Sequence, residues 1–585
     1  MTNKKIFLCF VNSSEDKGYH NFTIGGCSEH LGLGYLSSFL KENHYRSKIF
    51  IIDTLIQKHN LLKEIKEKEP LLVGFSIVNK NLNASIDLAK TIKAIAPGCH
   101  ITFGGHLATL AGESILSDCS FVDSIVKGYG EETLLCLAKH LINKKNLFSI
   151  RGLLFRSKTK LINNLPRKVT RNIDRYPLPD RSYLKEHIIK GDFPSARLVS
   201  SRGCYYRCKY CSTPPFLDNQ KCNKRWIPRS PQNVVAEIEY LKKKYDIKVI
   251  VFNDDLFLSK SNETQKRANQ IADQLINKNL NVQFWAMCRA DAFENKKNAE
   301  ELVKKLKLAG LCGIVLGLES GTNSQLKAYG KTTNIVQNLN AVRTLKKYNV
   351  MIECGFIMFY PKVEFAELLK NAEFLNAIQE AHIFRYFCDG LELFPGIYFI
   401  NELINQGLIK GDQYQSITNY PFADKRIQSL FLFLQTAKEK MRFYDKVLWD
   451  IQKLINILQD LIPQLKMQNY GQNRLLILQN LVQDLKKKLK ETGQINYECF
   501  ISYIEEAIKN NNTKCQEYFN NQMLNIYSCL LQIIPLIEKL KNIKNSFPEN
   551  IYSYLIEWFF KKSNAINFYR DNRIKKIKNG HRRTA

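Results

Sequence analysis

The sequence predicts an α/β protein: a doubly wound parallel sheet first, a full or partial barrel of βα units next, and a helical C-terminal region last. Three observations predict it. Strand and helix patterns alternate from the start to about residue 145. A second βα series opens at Arg197. Beyond about residue 400 the strand signal fades into helical spacing of Leu, Ile and Phe. The expected division is 1–148 for the sheet domain, 149–192 for a linker, 193–400 for the barrel, and 401–585 for a helical region with a basic tail.

The elements follow in order. Lys5–Val11 reads as a buried strand and His30–Asn43 as an amphipathic helix. Ser47–Asp53, Leu72–Ile77 and His100–Gly104 read as further strands with helices between them, an order that makes a parallel sheet. Ligands of such sheets sit beyond the carboxyl ends of the strands. Three runs fall there: Ser76-Ile77-Val78, Gly104-Gly105-His106, and Gly128-Tyr129-Gly130-Glu131. Glycine at these ends lets the backbone approach a large ligand.

Leu165-Pro166-Arg167 and Tyr176-Pro177-Leu178-Pro179 mark the linker. In the second series Arg197–Ser201 leads into a cysteine loop, and Val249–Asn253 ends in Asp254-Asp255. Gln283–Cys288 ends at Arg289, Gly313–Gly317 ends at Glu319-Ser320, and Met351–Phe359 ends near Pro361. Barrels carry their reactive residues at such ends.

The cysteine loop is Cys204-Tyr-Tyr-Arg-Cys208-Lys-Tyr-Cys211, spaced C-x3-C-x2-C. Cysteine-rich runs of this kind hold iron–sulfur clusters. Three thiolates on a four-iron cube leave one iron open, and an open coordination position means chemistry. A zinc knot or three packed thiols is the competing reading. The knot needs a fourth ligand at close spacing, and the nearest extra thiol is Cys222. The other cysteines of the sixteen are scattered, which argues for reduced thiols rather than a disulfide scaffold.

At 585 residues the chain exceeds a single core. Hydrophobic and charged fractions of 45% and 24% are those of a globular protein. The apolar run Ile6–Val11 is too short for a signal peptide, and no uncharged apolar stretch reaches the roughly 18 residues of a membrane span, so a cytoplasmic protein is expected. The net charge of +31 describes a lysine-coated surface or an electrostatic footprint for RNA, an acidic peptide or an anionic membrane. From Lys561 to Arg583, nine basic residues face one acidic residue, Asp571, and form a candidate contact arm.

Taken together, these runs resemble the radical S-adenosylmethionine (SAM) enzymes that carry an N-terminal cobalamin-binding domain. The resemblance covers roughly residues 1–420. It rests on the cysteine motif with Tyr210 at its aromatic position, on Asn253-Asp254-Asp255, on Trp285–Asp291 and on Gly317-Leu318-Glu319-Ser320-Gly321. It implies a partial (β/α)6 barrel and a [4Fe–4S] cluster on Cys204, Cys208 and Cys211. It implies SAM held at the open iron, with Tyr210 near the adenine, Asp254 or Asp255 on the methionine ammonium, Arg289 on its carboxylate, and Glu319 or Ser320 on the ribose.

The first domain is similar to Rossmann-like B12-binding domains through His30-Leu-Gly32-Leu33-Gly34, Gly74-Phe-Ser76-Ile-Val78, Phe103-Gly104-Gly105-His106 and Gly128–Glu131. Gly32, Leu33, Ser76, Val78, Gly104, Gly105, His106, Gly128, Tyr129, Gly130 and Glu131 are the implied cobalamin contacts, with His106 structural or corrin-contacting rather than a cobalt ligand. The chain departs from other cobalamin proteins in one respect. Val11–Cys27 lacks the Asp-x-His-x-x-Gly loop, and His20 stands at the wrong spacing.

The implied activity is methylation of an unactivated carbon of a small molecule or peptide, by a 5′-deoxyadenosyl radical and methylcobalamin. A flavodoxin or ferredoxin is the implied reductant. Cyclisation or rearrangement without methyl transfer needs the same parts. A basic iron–sulfur RNA-binding protein is the non-enzymatic rival, and it leaves the Gly317–Gly321 run and the two βα series unexplained.

Overall fold

Lys5–Val11 forms β1, and its alternate residues enter two different cores. Phe7, Cys9 and Val11 join one apolar cluster, and Ile6 and Leu8 join the other. A strand covered on both faces belongs inside a parallel sheet. In the computed structural model, which describes residues 4–12, 29–158, 160–189, 194–221, 223–409, 417–418, 420–568 and 570, that is its place. His20, Cys222 and the tail beyond Arg570 lie outside the described residues. The chain divides into two units: Met1–Phe257 with Glu392–Asn419, and Leu258–Leu391 with Tyr420–Ala585.

In the first unit α1 (Leu31–Glu42), β2 (Arg46–Ile52), α2 (Leu55–Lys68), β3 (Leu72–Ser76), α3 (Leu82–Ile95), β4 (His100–Gly104), α4 (His106–Asp118), β5 (Ser124–Val126) and α5 (Glu131–Ile142) follow β1. The sheet order β2-β1-β3-β4-β5 is parallel throughout, and the strand order reverses between β1 and β3. Segment 149–192 does more than link. β6 (Leu153–Ser157) pairs antiparallel with β5, and β7 (Lys160–Asn163) pairs with β6, extending the sheet. β7 is a short half-exposed edge strand, and its polar ends hide it from a reading of sequence. Helix α6 (Ser182–Ile189) follows.

Next, β8 (Ser195–Leu198) pairs in parallel with β11 (Val249–Phe252). Between them β9 (Ser201–Gly203) and β10 (Trp226–Pro228) pair antiparallel around the cysteine loop and α7 (Thr213–Asn219). Helix α8 (Pro231–Tyr245) is capped by Ser230 and leads into β11.

The second unit alternates α9 (Asn262–Asn277), β12 (Gln283–Arg289), α10 (Lys296–Leu308), β13 (Leu311–Glu319), α11 (Asn323–Ala328), α12 (Ile335–Lys347), β14 (Met351–Phe356) and α13 (Phe365–Ala377). β12, β13 and β14 are parallel neighbours. The chain then re-enters the first unit, bringing α14 (Tyr398–Asn405). The long helices α15 (Lys425–Met467), α16 (Gln472–Ile508), α17 (Asn512–Ile543) and α18 (Ile551–Lys562) complete the second unit.

Thr513–Ser546 contains an 18-residue window of mean hydropathy 1.3, which by length and composition alone meets the measure for crossing a bilayer, with 33% of it buried. The helix packs along α16.

A buried charge network ties the linker to β8 and α8. Arg181 donates to Glu29 at 2.5 Å and to Glu237 at 2.6 Å, and Arg229 donates to Glu237 at 2.5 Å. Removing one partner leaves buried charge uncompensated. Glu237→Ala is expected to lower stability by about 3–5 kcal/mol, read from urea unfolding, whereas Lys243→Ala on the exposed end of α8 leaves it unchanged.

Candidate active site

The cysteine loop is shaped by glycine and braced by two aspartates. Gly203 sits at φ +80°, and a methyl there would overlap the Arg225 carbonyl. Its N–H donates to Asp255 at 3.0 Å. Thr213, just past the third cysteine, donates its hydroxyl to the other oxygen of Asp255 at 3.2 Å. One carboxylate therefore closes both ends of the loop. Asp254 is buried and accepts from the Ser200 N–H at 2.6 Å and from the Ser201 hydroxyl at 2.8 Å. Both aspartates named from sequence thus serve the loop itself, and Asp255 also faces the cleft described next. Tyr210 lies half-buried in the turn between Cys208 and Cys211.

As thiols, Cys204 and Cys211 are pushed up to about 12 and about 11, first by burial, with Asp255 and Cys208 adding to both and Cys211 adding to Cys204. A thiolate set in that setting needs cationic compensation, which iron gives. Among the described residues no three ligating side chains are close enough to hold one ion. A four-iron cube offers each thiolate its own iron, so the donor set fits a cluster.

A cleft of about 480 Å³ opens at the carboxyl ends of the first sheet. All eleven residues named from sequence as cobalamin contacts line it. It lies at the β1/β3 switch point, where doubly wound sheets bind ligands. Gly105 holds φ +99°, with the Ile77 carbonyl 3.0 Å from where its Cβ would stand, so no other residue fits there. His30 caps α1: its Nδ1 accepts from the Leu33 N–H at 3.1 Å. Burial pushes His30 down to about 4, which keeps the ring neutral for that role. The glycine-walled, mostly apolar cleft suits a broad flat ligand.

The cleft and the cysteine loop meet within this unit. His106, the first residue of α4, stacks on Phe216 of α7 with centroids 4.1 Å apart and rings 4° from parallel. Burial holds its imidazole below the ordinary value, against the opposing pull of Asp255. Tyr129 meets Phe216 edge-on at 5.4 Å, and its N–H donates to Gln220 at 3.2 Å. Arg202, Phe216 and Asp255 line the cleft from the cysteine side. Sequence reasoning missed Arg202 and Phe216, whose partners lie far along the chain.

The remaining candidates belong to the second unit. Arg289 ends β12 and is buried; it donates to Asp291 at 3.0 Å and to Thr332 at 2.9 Å. Glu319 ends β13 at φ +67°, an uncommon conformation for a non-glycine residue, and pairs with Lys331 at 3.0 Å. Ser320 points inward: fully buried, its hydroxyl meets Gln325 and Asn371 and caps the turn at Thr322. Register aligns Arg289 with Gly317 and Gly355, and one step back Met287 with Val315 and Glu353. Period-two alternation puts both rows on one sheet face. Met287 is 41% exposed, whereas Arg289 on the same face is buried.

A model of the B12 binding domain matches residues 21–138, and a radical SAM superfamily model matches residues 198–375. An uncharacterized methyltransferase of Pyrococcus horikoshii is 30% identical over 342 residues, 58% of this chain and 71% of that protein. The anaerobic magnesium-protoporphyrin IX monomethyl ester cyclase of Cereibacter sphaeroides is 24% identical over 341 residues, 56% of this chain and 53% of its own length. The solved structure of the cobalamin-dependent S-adenosylmethionine radical enzyme OxsB, with aqua-cobalamin and S-adenosylmethionine bound, aligns with a TM-score of 0.66 at 18% identity. That alignment covers 96% of this chain and 84% of the other, and it shows a shared fold.

Gly203→Ala is expected to abolish most iron uptake on anaerobic reconstitution although all three cysteines remain, and Cys204→Ala to do the same. Iron content per chain checks both.

Proposed function

Because this chain belongs to the radical SAM enzymes with a cobalamin-binding domain, we propose that it methylates an unactivated carbon of a small molecule or peptide. Its cofactors are a [4Fe–4S] cluster, SAM and cobalamin. Together these groups supply radical initiation and methyl delivery. The protein's part is to hold and orient them and to keep water away.

One observation carries the reading: the glycine-walled cleft and the three-cysteine loop share Arg202, Phe216 and Asp255 in a single unit. Cys204, Cys208 and Cys211 are assigned to the cluster, and the cleft's eleven predicted residues to the corrin. Arg289 and Glu319 are assigned to SAM. Each already has a protein partner, Asp291 and Lys331, which orients the side chain and shares its charge. Glu353, one row behind Arg289, makes no hydrogen bond or ion pair among the described residues, and burial raises its carboxyl above the ordinary value against the pull of Arg385 and Lys453. It is the candidate acceptor for a substrate donor group. We also assign a reductant of the flavodoxin or ferredoxin type and a reducing, cytoplasmic setting.

The name of the cyclase relative favours a second reading, ring closure without methyl transfer. Trideuteromethyl-labelled SAM separates the two. The reconstituted enzyme, given hydroxocobalamin, a reductant and a pool of candidate substrates, is expected to release a product carrying the labelled methyl group. A product whose mass lacks that label favours cyclisation. A chain that takes up no iron or no cobalamin overturns the two-cofactor basis. The Arg289→Lys variant keeps the charge but loses the planar fork, and is expected to raise the SAM concentration needed for half-maximal 5′-deoxyadenosine release about tenfold.

A further inference from the structure

Two side chains tie the corrin cleft to the cysteine loop: Arg202, which is assigned to no cofactor, and Glu131, one of the residues assigned above to the corrin, on which reading the pairing rests. Arg202 stands two residues before Cys204, and Glu131 is the first residue of α5, at the carboxyl end of β5. Both line the cleft. The guanidinium of Arg202 donates to Glu131 at 2.6 Å, with only 11% and 6% of the two side chains exposed. Three tyrosine rings surround the same guanidinium: Tyr129 at 4.9 Å, Tyr35 of α1 at 5.3 Å and Tyr176 of the linker at 5.3 Å. A planar guanidinium stacks on such rings while donating to the carboxylate, a combination that a lysine ammonium does not reproduce.

The backbone around Arg202 is fixed on both sides. The Ser201 hydroxyl donates to Asp254, the Gly203 N–H donates to Asp255, and β9 pairs Arg202 with Ile227 of β10. A displaced Arg202 therefore displaces the approach to Cys204. On the cleft side, Tyr129 and Glu131 belong to the turn and helix start that form the cleft wall.

We propose that Glu131 and Arg202 are a positioning pair through which filling the corrin cleft and assembling the cluster strengthen each other. A filled cleft fixes the wall that holds Arg202, and Arg202 fixes the first cysteine. An assembled cluster fixes the loop that holds Arg202, and through it the cleft wall. The coupling is reciprocal because it is one free energy shared by two binding events. Both act through the residues they hold in place.

The test is the affinity of the full chain for hydroxocobalamin, followed by absorbance, with the cluster assembled and in iron-free protein. The wild type is expected to bind about tenfold more tightly when the cluster is present. In Arg202→Lys and in Glu131→Gln that ratio falls towards one, and the double variant lowers it no further. A purely structural role weakens binding equally in both states and leaves the ratio intact. That result overturns the proposal, as does a wild-type ratio of one. Circular dichroism checks folding. Should either variant misfold, Tyr176→Leu decides: it removes one wall of the cage, keeps both charges and lies outside the cleft. A ratio lowered in Tyr176→Leu supports the pair, and a wild-type ratio overturns it. A wild-type chain that binds iron but no hydroxocobalamin removes the cofactor assignment instead.

Discussion

The geometry of the cysteine loop depends on two carboxylates. Asp255 accepts from Gly203 before the first cysteine and from Thr213 after the last, so one side chain sets the span that three thiols must fit. Asp254 fixes the strand that delivers them. Hydrogen bonds to charged groups are worth about 1.5–3 kcal/mol each. Several of them on two adjacent residues hold a loop that would otherwise be a flexible surface turn. The glycine at its entry is forced by the same constraint, since only a residue without Cβ passes the Arg225 carbonyl.

The rest of the first unit is arranged around that fixed loop. Helix α7 carries it onto the first sheet, where Phe216 stacks on His106 and Gln220 accepts from Tyr129. The switch point of the sheet is thereby roofed by the segment that follows the cysteines. The sheet supplies a cleft because its strand order reverses between β1 and β3, and the cleft supplies a smooth wall because glycines end its strands. The second unit repeats the logic with different means. Arg289 is aimed by Asp291 and Thr332, and Glu319 is held in a strained conformation by Lys331 and by the turn beyond it.

Much of this was legible in the chain. Parallel strands buried on both faces are apolar without interruption, and their ends announce themselves through glycine, as at Gly104-Gly105 and Gly128. The cysteine spacing is local and needs no fold to be noticed. Other features were not legible, for physical reasons. Asp254 and Asp255 read equally well as ligand groups and as braces, because a carboxylate at a strand end serves either purpose. Arg202, Phe216 and Gln220 find their partners roughly 70 to 110 positions away, and no periodicity encodes that. β7 was hidden because an edge strand tolerates polar residues.

A loop held by aspartates has a consequence for how the chain tolerates change. One carboxylate, Asp255, braces the cysteine run at both ends, so a single substitution there reaches all three thiols together. The motif is only as durable as a residue more than forty positions away, and its spacing alone does not preserve it.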